Sequence, residues 1–131
     1  MAYEISYEED LGCMRNRHSG QITFMEIKEM YSKLLPLASE KRCTLFYSDF
    51  REVAEGKISI TEIYSLPKVF NQIALKNNII VHECINAILI PKENYLFQFF
   101  VTVSNNFAQT NIKLFLDEEE ALKWLLSRRK R

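Results

Sequence analysis

Ser48 and Asp49 close an apolar run, Cys-Thr-Leu-Phe-Tyr-Ser-Asp (Cys43 to Asp49), and a serine beside an acid is part of what nucleophilic catalysis needs. The missing part is a base, for which the chain offers only His18 and His82, and no Gly-x-Ser-x-Gly elbow surrounds Ser48. A turn-capping role for Ser48 and Asp49 is therefore the favoured reading. A metal site can be drawn from His82-Glu83-Cys84 with Cys43 or Cys13. In a strand, however, His82 and Cys84 share a face that Glu83 does not, which leaves two ligands where a structural site wants about four. A core thiol and an edge histidine are favoured, and His18 reads as the end of a strand. The run Arg128 to Arg131 is what a helix C-terminus prefers, with no interleaved aromatics to extend it toward nucleic acid, and Glu118-Glu119-Glu120 matches a first-turn dipole.

The elements that position these residues must come from one modest core. A chain of 131 residues, 47% hydrophobic and 12% aromatic, is long enough for one core and too short for two ordinary domains, so residues 1–131 are expected to form a single domain. Its 17 basic and 17 acidic side chains cancel, which removes any global field for nucleic acid or an anionic membrane. The cysteines, Cys13, Cys43 and Cys84, form no CxxC pair and sit in apolar runs, the pattern of reduced, buried thiols in a cytoplasmic protein. No window approaches the roughly 18 apolar residues of a membrane span, the N-terminus has no apolar leader, and no cofactor motif is present.

Taken in order, Tyr3, Ile5 and Tyr7 alternate with Glu4 and Ser6 as in a half-buried strand, and a second strand over Leu11 to His18 follows the acidic turn Glu8-Glu9-Asp10. Thr23 with Glu26 opens a helix carrying Phe24, Ile27, Tyr31 and Leu34, which Pro36 closes or bends. Cys43 to Asp49, with little room for a wet face, is the central strand of a parallel sheet, and Phe50 to Ile58 is irregular. Ser59 or Thr61 caps a second helix whose stripe is Ile63, Leu66, Phe70, Ile73 and Ala74; Pro67 kinks it or restarts it near Ser65, and Asn77-Asn78 stops it.

Cys84 to Pro91 is the next buried strand. Tyr95 to Val103 has the composition of a strand, yet Leu96, Phe99, Phe100, Val103 and Phe107 fit a helical stripe, and the alternation of elements calls for a helix. That choice sets Phe97 and Val101 on the opposite face. Ile112 to Leu116 is the last strand, and Asp117 with Glu120 starts a helix packing Ala121, Leu122, Trp124 and Leu125. The pattern is ββαβαβαβα, an α/β fold with a mixed five-stranded sheet. Right-handed crossovers make the four later strands parallel and leave the first an antiparallel edge, with about four helices around the sheet.

With Gly20-Gln21-Ile22-Thr23 at the first helix, Leu45-Phe46-Tyr47-Ser48-Asp49 as an acid-ended strand and the stretch from Phe115 to Leu125 at the end, this order resembles the SpoIIAA-like branch of the STAS-type fold. The CRAL-TRIO lipid-transfer domains share that topology. The likeness spans nearly the whole chain and implies a fold more than an activity. Antagonists of anti-sigma factors in this superfamily carry Asp-Ser-x-Gly at the second helix, where this chain reads Lys57-Ile58-Ser59-Ile60-Thr61-Glu62. Ser59 and Thr61 are the hydroxyls that stand in that position, beside Asp49 at the strand end.

The resulting expectation is a non-catalytic STAS-like regulatory or interaction module, acting on a protein partner or on a second copy of itself. The alternative is a binder of an apolar small molecule or lipid in a cleft between helices, and Tyr64, Phe70, Phe97 and Val101 mark either the interface of the first reading or the apolar cleft of the second. Asp49, Ser59 and Thr61 mark the candidate partner or phospho-acceptor loop. No metal, cofactor, nucleic acid or membrane span is expected.

Overall fold

In the computed structural model, which describes residues 2–54, 58–107 and 110–129, the chain opens with a hairpin. Strand β1 (Ala2–Glu8) pairs antiparallel with β2 (Cys13–Gly20) across a turn closed by Gly12, whose φ of 69° favours glycine. Strands β3 (Leu45–Val53), β4 (Ile85–Leu89) and β5 (Asn111–Phe115) then join in parallel, and the sheet order β1-β2-β3-β4-β5 repeats the chain order. When strands are added in one direction through right-handed crossovers, the crossover helices share one face. Helices α1 (Phe24–Glu40), α2 (Ile60–Lys76) and α3 (Tyr95–Phe107) pack in that succession, while α4 (Glu118–Ser127) lies on β3, β4 and β5. The mixed five-stranded α/β arrangement read from the sequence is the one observed.

The caps follow from the sequence. Thr23 Oγ1 accepts from Glu26 N at 3.2 Å, and Ser59 and Glu62 form a reciprocal capping box. Both long helices end in the same way. Arg42 (φ 52°) and Asn78 (φ 58°) adopt left-handed backbone. The amides that follow them, Cys43 N and Ile79 N, reach back to the carbonyls of Ala38 and Ala74 at 2.9 Å each.

Several boundaries differ from expectation. Pro36 and Pro67 interrupt neither helix; each runs 17 residues. Continuing past them buries Ala38 and Ala74, and a proline removes only one backbone donor. β3 extends beyond Asp49 to Val53 because β2 remains beside it, with Ser19 opposite Glu52 and Gly20 opposite Val53. Val81–Glu83 is a single 3-10 turn rather than padding before β4. α3 is a helix despite its composition, and its start is fixed by Asn94, whose Oδ1 accepts from Leu96 N at 2.8 Å and Phe97 N at 3.4 Å.

The inward stripe of α3 is rotated from the expected one. Phe97, Phe100 and Val103 pack on the core, and Phe97 meets Phe50 edge-on at 5.2 Å instead of facing outward. Val101 is half-buried and is not among the core side chains, while the side chain of Phe107 lies outside the described residues. Trp124 is half-buried against Phe115 at 5.5 Å, with the Arg128 guanidinium over its ring. Arg129 donates to the Leu11 carbonyl, tying the C-terminal helix to the first turn. Gly56, Lys57, Lys130 and Arg131 lie outside the described residues.

Candidate functional site

Alternation along each strand divides the polar residues between two faces. Asn16, Ser48 and Asn86, on β2, β3 and β4, point to the side of α1–α3. Asn16 and Ser48 are 1% and 4% exposed, so their polar atoms must find partners within the protein. They form one row: His18 Nε2 donates to Asn16 Oδ1 (2.8 Å), Asn16 Nδ2 to Ser48 Oγ (2.9 Å), and Ser48 Oγ to Asn86 Oδ1 (2.9 Å). An amide oxygen only accepts, so the His18 proton sits on Nε2. Burial pushes the His18 pKa down to about 4 against the opposing charge of Asp49, and the ring is neutral near pH 7. It lies flat on Phe50, with centroids 4.3 Å apart and planes 5° apart.

Above this row lies a cavity of about 310 Å³. Its walls come from three helices: Met30, Tyr31 and Leu34 of α1, Leu66 and Phe70 of α2, and Phe97 and Phe100 of α3. Lys92 is the only charged side chain among its described lining residues. A second space of about 30 Å³ shares Tyr31, Phe46, Phe70, Asn86 and Phe100 with the first and adds Ser104 and Thr110. The volume falls at the lower end of small-molecule sites, whose usual make-up is apolar walls with a few placed polar groups.

The opposite face holds Asp49. Its carboxylate, 3% exposed, takes Arg51 Nε at 3.1 Å, Arg51 Nη2 at 2.8 Å and the Arg51 amide at 3.0 Å. Burial alone would raise its pKa; the Arg51 hydrogen bonds and charge, with Arg15, outweigh that and hold it below the ordinary value. Arg51 also approaches Glu118 at 3.9 Å, linking β3 to the first turn of α4. Ser48 and Asp49 thus face opposite sides of the sheet and form no dyad, and His18 reaches Ser48 only through Asn16.

The remaining expected residues are scattered. Ser59 caps α2, and Thr61 is exposed in its first turn, neither grouped with Asp49. Phe70 and Phe97 line the cavity, whereas Tyr64, 55% exposed, and Val101 do not. His82 is exposed in the 3-10 turn. Among the described residues no group of three or more histidine, cysteine or acidic side chains gathers to hold a metal. The three thiols are free and buried, and burial pushes Cys13 up to about 11 and Cys84 up to about 12, which keeps them protonated and unreactive. Asn16, His18 and Asn86 were not anticipated as a site. Their signal was present: an asparagine inside Cys-Ile-Asn-Ala-Ile-Leu-Ile, and Asn16 and His18 two apart on the face that also carries Met14.

No family model and no curated protein matches the sequence. Solved structures do. An uncharacterised protein of the DUF3478 family with a SpoIIAA-like fold, from Shewanella loihica PV-4, superposes with a TM-score of 0.58 at 23% identity, over 95% of this chain and 92% of that one. The anti-sigma factor antagonist SpoIIAA in its unphosphorylated form superposes with a TM-score of 0.53 at 11% identity, over 94% and 96% of the two chains. At these identities the likeness concerns architecture. With five strands in chain order, three helices on one face and one on the other, this chain has the SpoIIAA-like fold.

Proposed function

We propose that this chain is a non-catalytic binding module, a single SpoIIAA-like domain that holds an apolar small molecule between its sheet and helices α1–α3. The observation that supports this reading is the cavity with its hydrogen-bonded polar floor. The concave space, about 310 Å³ and lined mostly by apolar side chains, falls within the range of small-molecule sites. A molecule seated there would be oriented by the amides of Asn16, which is buried, and Asn86, which is half-buried, beneath it. A non-catalytic role agrees with the Ser48 hydroxyl being engaged by Asn86 rather than by a base.

A second reading, regulatory contact with a protein partner or a second copy, is favoured by Ile60 and Tyr95, which are 54% and 71% exposed. Tyr95 lies between the lining residues Asn94 and Leu96, and Ile60 is two residues from the lining residue Ile58, so a partner seated there would sense what the cavity holds. Ser59 or Thr61 at the start of α2 would be the phospho-acceptor in that case, since a phosphate is stabilised at a helix N-terminus. A cytoplasmic location is consistent with three buried free thiols, and no helix among the described residues is long and apolar enough to cross a membrane.

Native mass spectrometry of the purified chain over a range of concentrations, before and after addition of an uncharged aromatic hydrocarbon, tests both readings. A one-to-one adduct on the monomer is the expected result. Absence of any adduct at saturating hydrocarbon refutes the cavity reading, and a bare dimer favours the second.

A further inference from the structure

The hydrogen bonds on the cavity floor all run one way, from His18 through Asn16 and Ser48 to Asn86. The row therefore ends on the Asn86 carboxamide nitrogen, whose two N–H groups make no hydrogen bond with any described residue. Asn86 borders both the large cavity and the small one. Ser104 borders the small one; it is 2% exposed, and its Oγ has no partner among the described residues. A helical serine commonly returns its proton to the carbonyl four residues back, as Thr102 does to Gln98 at 3.0 Å, but Ser104 does not. The small chamber, about 30 Å³, has the volume share of one water molecule, or of one oxygen-bearing group. None of its described lining residues is charged.

We propose that the cavity's ligand is an apolar molecule carrying one uncharged carbonyl group, a ketone, ester or amide. Its oxygen enters the small chamber and accepts from Asn86 Nδ2 and Ser104 Oγ, while its apolar body fills the large one. A carbonyl oxygen has two lone pairs for two donors. An ionised group there would be buried without a counter-charge. This assignment rests on the binding role proposed above and adds to it the chemistry of the ligand.

The test compares benzophenone with diphenylmethane, the same two rings with and without the carbonyl, by ligand-detected NMR titration of the intact chain. Benzophenone is expected to bind about two- to a hundredfold more tightly, the worth of one or two neutral hydrogen bonds. That preference, read in each variant as the ratio of its own benzophenone and diphenylmethane affinities, should vanish in Asn86→Leu and shrink in Ser104→Ala. Equal affinities, a preference that survives in Asn86→Leu, or tighter binding of the donor diphenylmethanol overturns the carbonyl assignment and leaves the cavity reading standing. Binding of neither probe overturns both. If circular dichroism shows Asn86→Leu unfolded, Ser104→Ala, which removes a single oxygen, carries the test: loss of part of the preference supports the assignment, and an unchanged preference overturns it.

Discussion

Acid should unfold this protein by way of His18 before it reaches the carboxylates. The His18 pKa is about 4 in the fold and 6.5 as the ordinary value, and the ring is 2% exposed. A histidine whose folded pKa is depressed binds more protons unfolded than folded between those two values. Stability is therefore greatest above about pH 6.5 and declines as pH falls toward about 4, by about 1.4 kcal/mol per unit in the middle of the window. From about pH 7.5 to about pH 4.5 the loss is about 2.5 kcal/mol. Asp49 acts in a lower window. Its depressed pKa contributes stability above the ordinary carboxylate value of 3.8 that is lost only as pH falls below it. Urea unfolding at a series of pH values, in wild type and in His18→Gln, separates the two. Glutamine can still donate an N–H toward Asn16 but cannot take up a proton, and it loses the stacking on Phe50, about 1 kcal/mol. The variant should begin less stable at neutral pH, show a nearly flat profile to about pH 4.5, and overtake the wild type before that point. A wild-type change under about 1 kcal/mol across the window, or a variant retaining the full slope, would refute the placement of a neutral buried His18.

Asn16→Leu should cost about 2 to 4 kcal/mol in urea unfolding, because it leaves the His18 N–H buried without an acceptor and removes a bond to Ser48; under about 1 kcal/mol would mean that the row is not formed. Arg51→Ala should cost about 2 kcal/mol, less than for a fully buried pair because the Arg51 side chain is 40% exposed, and Asp49→Asn in the same chain should recover much of it. Arg42→Gly should raise stability by up to about 1 kcal/mol, since the position has a φ of 52°, and a loss would contradict the left-handed closure of α1. Trp124→Ala should cost about 2 kcal/mol, below the 3 to 5 of a fully buried aromatic, since the ring is half-buried against Phe115.

The architecture was legible because each element carries its own punctuation. The Ser59 capping box, the Asn77-Asn78 stop and the acid-led start at Asp117 are local chemistry, and local chemistry survives tertiary packing. Boundaries set by a neighbour were not legible. β3 runs on to Val53 through pairing with β2, which nothing in Arg51-Glu52-Val53 announces, and the two prolines sit in helices held by burial on either side. The rotation of α3 was lost for a related reason. With Leu96, Phe97, Phe99 and Phe100 all apolar, periodicity cannot choose a face, and the ring contact between Phe97 and Phe50 chooses it. The polar floor escaped because its three strands are far apart in sequence. An asparagine in an apolar strand signals a buried partner, but only the register of the sheet names that partner as Ser48.

A sheet whose spatial order repeats its chain order has a consequence for how the chain is made. As the protein leaves the ribosome, every new strand finds its neighbour already laid down, so the sheet can grow by one strand and one helix at a time without threading or displacing anything. The chamber takes shape in the same sequence. Its first wall arrives with α1, its floor is completed only when Asn86 emerges, and α3 closes it before β5 and α4 are finished. A chain cut short before α3 would therefore lack the wall that Phe97 and Phe100 supply, while the residues of the floor would all be present.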